Sequence, residues 1–135
     1  MATFPTVEWT TAVMERLNND EDYARIAQKW EDDLKFIVES SATLPTPITL
    51  YFDLWHGKCR NVLLLPDPNT VISASFILKG SYENFKRILE GKLDPMQALL
   101  TRKVFVQGNF GLLIRSVPVV LNFVRCCREV TDNFV

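Results

Sequence analysis

The sequence carries one histidine, three cysteines and five glycines in 135 residues, and its charges nearly cancel. Each scarcity excludes something. His56 stands alone, and Cys59, Cys126 and Cys127 lack the CxxC-type spacing and partners of a zinc site, so no metal centre is expected. An odd set of cysteines with two adjacent members builds no disulfide framework; these thiols read as small buried hydrophobes in a reducing compartment. Fifteen Lys and Arg against sixteen Asp and Glu give a formal net charge of −1, without the basic excess of a duplex nucleic-acid binder. Residues 104–124 are the most apolar stretch, yet Gln107, Asn109, Arg115, Ser116, Pro118 and Asn122 break it, so no transmembrane segment is expected. The start of the chain lacks a signal-peptide pattern, and Asn133, Phe134 and Val135 form no peroxisomal address. The expectation is a soluble, cytoplasmic protein.

What is present is apolar mass. Hydrophobic residues make up 47% and charged residues 23% of the chain, which suits one domain over residues 1–135 and excludes a disordered tail. The apolar residues are unevenly placed: the first forty positions are charged and amphipathic, whereas positions 104–127 are dense in Val, Leu, Phe, Ile and Cys.

Residues 1–40 read as two helices. Over 7–17, Thr6 is the N-cap and Trp9, Val13 and Leu17 form one stripe. Over 20–39, Tyr23, Ile26, Ala27, Trp30, Leu34 and Ile37 recur at helical spacing, with Glu31 and Lys35 as an i,i+4 pair. After a loop at 40–47 the period changes to two. Ile48, Leu50, Phe52 and Leu54 alternate with Thr49, Tyr51, Asp53 and Trp55 in a half-buried strand. His56-Gly57 turns into a second strand over 58–65, Pro66-Asp67-Pro68-Asn69 turns again, and 71–79 is a third strand of an antiparallel meander. Ser81 caps a short helix bearing Phe85, Ile88 and Leu89, which Gly91 ends. Asp94-Pro95 starts another, with Met96, Leu99 and Leu100 on its apolar side. Residues 103–107 return to β character, and 110–115 and 118–128 are helical, with Pro118 at the break.

Little here resembles catalytic machinery. His56 sits in a turn, Asp53 has no acidic neighbour at useful spacing, and Glu15, Asp20, Glu21 and Asp22 suit helix caps. Gly108-Asn109-Phe110-Gly111 is a bare GxxG without the basic helix–loop–helix setting of an RNA-binding loop. No enzyme and no cofactor are expected. The C-terminal segment, by contrast, is apolar nearly all round (Val117, Val119, Val120, Leu121, Phe123, Val124, Cys126, Cys127). Such a helix is buried in a dry core, covers a partner, or walls a cavity. An interaction or accessory scaffold module using that helix, including a homodimer, is the alternative to a ligand-binding protein.

Three segments in order, Leu78-Lys79-Gly80-Ser81-Tyr82-Glu83-Asn84-Phe85, Gly91-Lys92-Leu93-Asp94-Pro95-Met96-Gln97-Ala98 and Val104-Phe105-Val106-Gln107-Gly108-Asn109-Phe110-Gly111, resemble the sterol carrier protein type 2 (nonspecific lipid-transfer) domain family. The likeness in order and spacing runs over about residues 48–115. It implies an α+β fold, with a twisted, mainly antiparallel five-stranded sheet covered on one face by helices. It also implies a tunnel, within residues 48–135, for a fatty acid, acyl-CoA, sterol or isoprenoid lipid. By position, the walls implied are Phe76, Leu89, Met96, Leu99, Leu100, Val104, Val106, Phe110, Leu113 and Ile114, with Val117 and Leu121 as a lid. Arg102 or Arg115 is the implied partner of an acidic head group, and a carrier of this kind makes transient membrane contact. Thr101-Arg102 stand where the family often has glycine, and the peroxisomal tail of its eukaryotic carriers is absent.

Overall fold

Alternation of apolar and polar residues builds the centre of the molecule. In the computed structural model, which describes residues 2–65 and 72–135, Ile48–Trp55 and Lys58–Leu65 are antiparallel strands. They are β3 and β4. Leu50, Phe52 and Leu54 are buried on one face, whereas Thr49, Tyr51 and Asp53 lie on the other. The hairpin turns at His56 and Gly57, both with positive φ (49° and 78°), the pairing that a two-residue type I′ turn requires. The turn at residues 66–69 lies outside the described residues, and the third strand, expected over 71–79, begins only at Phe76, so Ile72 and Ala74 precede it rather than belong to it.

The chain order is β1 (Ala2–Phe4), α1 (Val7–Asn18), α2 (Glu21–Ile26), β2 (Leu34–Glu39), β3, β4, β5 (Phe76–Ser81), α3 (Tyr82–Leu89), α4 (Pro95–Leu100), β6 (Val104–Gln107), α5 (Phe110–Arg115), α6 (Val117–Val130) and β7 (Thr131–Phe134). Five strands form one sheet in the order β4-β3-β2-β5-β6; every neighbouring pair is antiparallel except β2 with β5. Two short strands at the chain ends, β1 and β7, pair in parallel. The fold is α+β, with a mainly antiparallel five-stranded sheet.

Two expectations are corrected. The helix expected over 20–39 stops at Ile26, and Leu34–Glu39 is the middle strand of the sheet. Helical spacing and strand alternation coexist in this segment: Leu34, Phe36 and Val38 also recur every second residue, and inter-strand hydrogen bonds on both edges decide between them. Glu31 and Lys35 accordingly make no i,i+4 pair. Glu31 meets His56 Nε2 at 2.8 Å, and Lys35 Nζ donates to the Ile72 carbonyl. The meander is also interrupted, because β5 leaves the β3–β4 hairpin and pairs in parallel with β2 on the far side.

The local signals at helix starts are realised in hydrogen bonds. Thr6, Asp20, Ser81, Asp94 and Asn109 side chains each accept from a backbone N–H in the first turn of the helix that follows. Pro95 opens α4 at its first position. The helix α1 lies along β4, and Asn18 imitates a strand there: its amide nitrogen donates to the Cys59 carbonyl (2.9 Å) while its oxygen accepts the Cys59 N–H (2.8 Å). One cluster of buried side chains joins the sheet's inner face to the helices.

Candidate functional site

The inner face of the sheet and the helices around α6 do not close completely. A cavity of about 100 Å³ remains between them. Its floor is Leu34, Phe36 and Val38 of β2, Leu50, Phe52 and Leu54 of β3, Leu78 of β5 and Val104 of β6. Phe85, Ile88 and Leu89 of α3, Pro95 and Leu99 of α4 and Leu113 of α5 form its sides. Val119, Val120, Phe123, Val124 and Cys127 of α6 form the roof, and Phe4, Trp9 and Trp30 complete the wall. Every lining residue is apolar.

Phe36 shows how the space arises. It sits mid-strand on β2, between Leu34 and Val38, both buried, yet it is itself only half-buried. Its ring stacks on Phe123 with centroids 5.9 Å apart and meets Phe52 and Phe85 edge-on. These aromatic rings hold sheet and α6 apart, and aliphatic side chains do not fill what is left. A void lined only by such groups stays dry and takes an apolar guest.

The two halves of α6 are held differently. At its start, Ser116 makes no side-chain cap bond. Toward its end, Arg125 donates to Asp20 Oδ1 at 2.7 Å, Arg16 pairs with Glu129, and Arg128 donates to the Ile88 carbonyl at 2.9 Å. The hydrogen bond from Arg125 holds the Asp20 carboxyl down at about 2, against the raising effect of its partial burial. The residues after the helix are fixed too: β7 pairs with β1, and the Tyr82 hydroxyl donates to the Val135 carbonyl at 2.7 Å. The roof is thus anchored at one end.

Of the residues implied by the family resemblance, Leu89, Leu99, Val104 and Leu113 line this cavity. Leu100, Val106, Phe110 and Arg102 line a second space, an open groove of about 320 Å³ between α4, β6 and α5, to which Leu99 and Val104 also contribute. Leu99 and Val104 therefore stand between cavity and groove. Phe76, Met96, Ile114, Val117, Leu121 and Arg115 line neither. The cavity face of α6 is the 119–120–123–124–127 stripe; Val117 and Leu121 project to the side of it. The floor residues of β2 escape the sequence reading because that segment reads as helix, although the Leu34, Phe36, Val38 alternation is the signal that could have found them.

Polar chemistry is sparse around this space. His56 is remote in its hairpin turn, with Nδ1 against the Gln28 carbonyl and Nε2 against Glu31, each at 2.8 Å. Among the described residues, no cluster of three or more His, Cys, Asp or Glu side chains could hold a metal, and no helix is long and apolar enough to cross a membrane. Burial pushes the Cys59 thiol up to about 12 and Cys126 up to about 11, and raises Cys127 as well, which removes their nucleophilic form.

The sequence profile of the SCP-2 sterol transfer family matches residues 11–119. A crystal structure of sterol carrier protein 2 superposes with a TM-score of 0.85 at 28% identity, covering 93% of this chain and 98% of that one. A solution structure of a conserved hypothetical protein from Thermus thermophilus gives 0.84 at 27% identity, covering 95% and 90%. The sterol carrier protein domain 2 of Helicoverpa armigera shares the fold at 17% identity, with a TM-score of 0.60 and coverage of 93% and 90%. No curated protein sequence matches the chain.

Proposed function

Because the chain belongs to the SCP-2 sterol transfer family, we propose that it is a non-enzymatic carrier of a hydrophobic ligand. The ligand class is a fatty acid, acyl-CoA, sterol or isoprenoid lipid, taken into the apolar cavity under α6. Leu89, Leu99, Val104 and Leu113 are its proposed contacts from α3, α4, β6 and α5, and Phe36, Phe52 and Phe123 its aromatic ones. The observation that carries the reading is the half-buried ring of Phe36 in the middle of the central strand, facing a wall without a polar group.

The driving force is removal of apolar surface from water. At about 25 cal/mol per Å², an acyl chain of several hundred Å² supplies several kcal/mol before the cost of immobilising it. A space of about 100 Å³ is smaller than the ~300–1,000 Å³ pockets that hold drug-sized ligands. Entry therefore widens it, and the uncapped first half of α6 is the part free to lift, since its second half is tied to α1, α2 and α3. A carboxylate or phosphate head would remain outside, where Arg102 lines the groove and Arg115 ends α5, the helix whose Phe110 borders it.

Native mass spectrometry and organic extraction of the purified protein, with displacement of a fluorescent fatty acid, test the reading. A bound lipid or saturable displacement is expected. Absence of both overturns it.

A further inference from the structure

We propose that the free edge of β6 binds an extended peptide of a protein partner, one that alternates apolar and acidic residues and adds a strand to the sheet. β6 ends the order β4-β3-β2-β5-β6, so only one of its sides is paired. Among the described residues, the backbone groups of 104–107 make no hydrogen bond beyond that pairing with β5. The open groove beside α4 and α5 runs along this edge. Val104, Phe105 and Val106 all line it, although successive strand residues point to opposite faces. A space that touches all three lies beside the strand, where its unpaired N–H and C=O groups are presented.

The two edges of the sheet differ. β4 is blunted over its first half: Lys58 and Arg60 are charged, and its register with β3 is irregular at Asp53 and Leu54. Asn18 already pairs with the backbone of Cys59 there. Such devices keep an edge from accepting another strand. β6, Val104-Phe105-Val106-Gln107, has no charge, no proline and no register shift.

The side chains around the edge define the partner. Leu100 is 60% exposed, Phe105 53% and Phe110 41%, on α4, β6 and α5. α4 and α5 also wall the cavity on the sheet's inner face. One face of an added strand therefore meets Leu100 and Phe110, and its other face emerges beside Phe105 and Lys79, which oppose each other in the β5–β6 register. Residues 95–124 contain Arg102, Lys103 and Arg115 and no acidic residue. Neither these three nor Lys79 is ion-paired among the described residues. Apolar side chains toward the helices and acidic ones toward Lys79 and Lys103 complement this edge. A lipid surface would cover the apolar groups but leave the row of N–H and C=O groups without partners, since acyl chains offer none. A second copy of this chain would bring the same cations against these. Strand addition at β6 needs no lipid ligand, so it stands or falls apart from the carrier reading.

The test is amide-resolved NMR of the full, isotope-labelled chain titrated with the end-blocked hexapeptide Val-Asp-Val-Glu-Val-Asp. Two companion peptides separate the contributions: one has every backbone nitrogen methylated, and the other has lysine in place of each acid. The first peptide should saturate below about 1 mM, shift the amides of residues 104–107 and slow their exchange with solvent. Methylation should abolish binding, and lysine should weaken it at least about tenfold. Lys103→Glu, with its fold checked by circular dichroism, should weaken the acidic peptide at least about fivefold. The peptide comparisons need no variant. No shift at 104–107 with the acidic peptide, or equal binding of its methylated form, overturns strand addition. Protection of 104–107 in the protein alone that rises with its concentration also overturns it, and assigns the edge to a second copy. So does coverage of the groove by phosphatidylglycerol vesicles that the acidic peptide cannot displace.

Discussion

Filling the cavity should move stability and ligand binding in opposite directions. Val120 lies on the roof, half-buried, on the stripe of α6 that faces Phe36 and Phe52. Valine and phenylalanine have similar helix propensities, so Val120→Phe changes α6 mainly by placing a ring into the space. An empty apolar cavity costs about 24 cal/mol per Å³. For about 100 Å³, that is about 2 kcal/mol of stability available to a substitution that fills it. A single ring fills part of it, so a gain of about 1 kcal/mol is expected, or about 3–5 °C in melting temperature for a chain of this size. The same ring occupies the path of an acyl chain, and affinity for a fluorescent fatty acid should fall at least about tenfold. Urea denaturation and displacement titration measure the two effects on one preparation. A loss of more than about 1 kcal/mol would show that the roof is already packed solid, since overpacking costs about 1–3 kcal/mol. Unchanged affinity in a stable variant would refute the placement of the ligand.

Gly108 allows no side chain: its φ is 132°, and a Cβ would stand 2.5 Å from the Ser75 carbonyl oxygen and 2.8 Å from Phe76. Gly108→Ala should therefore cost about 2–3 kcal/mol in urea unfolding, and a cost below about 0.5 kcal/mol would contradict this account of the β6–α5 junction. Asp20 titrates below its usual range because of Arg125, at about 2 rather than 3.8. Its stabilisation is complete above the usual carboxylate range and is lost as pH falls toward 2. The pair lies near the surface and is screened, so about 1 kcal/mol should disappear between pH 5 and 2, and Asp20→Asn should flatten that part of the stability profile. The three free thiols are buried, with raised pKa values. A thiol reagent at mild alkaline pH should label none of them in the native protein and all of them after denaturation; rapid native labelling would show that the core around the labelled thiol opens readily.

Much of the local structure is legible in the sequence because its causes are local. The caps at Thr6, Asp20, Ser81 and Asp94, the proline opening α4, and the positive-φ turn after β3 depend on residues within a few positions of one another. The motif series over residues 78–111 leads to the right family for the same reason, since turns and helix starts occupy fixed spacings. The segment at 34–39 misleads because two periods overlap there. Its strand state is set by β3, beginning nine residues after β2 ends, and by β5, beginning thirty-seven residues after it. The pairing of β1 with β7 joins residues about 130 positions apart and leaves no local trace.

By itself, the sequence determined the kind of protein: neutral overall, poor in metal ligands, rich in capped short helices, and with more apolar residues in its last third than a one-sided helix needs. Only the tertiary structure decided where that surplus goes. Whether Val120 faces a void or Leu121 faces water depends on the angle at which α6 crosses the sheet. The division of neighbouring residues in one motif, with Leu99 and Val104 on the cavity and Leu100 and Phe105 on the groove, depends on the turn of α4 and the pleat of β6. A cavity is a failure of distant surfaces to meet, and the shapes that fail to meet belong to strands and helices far apart in the chain.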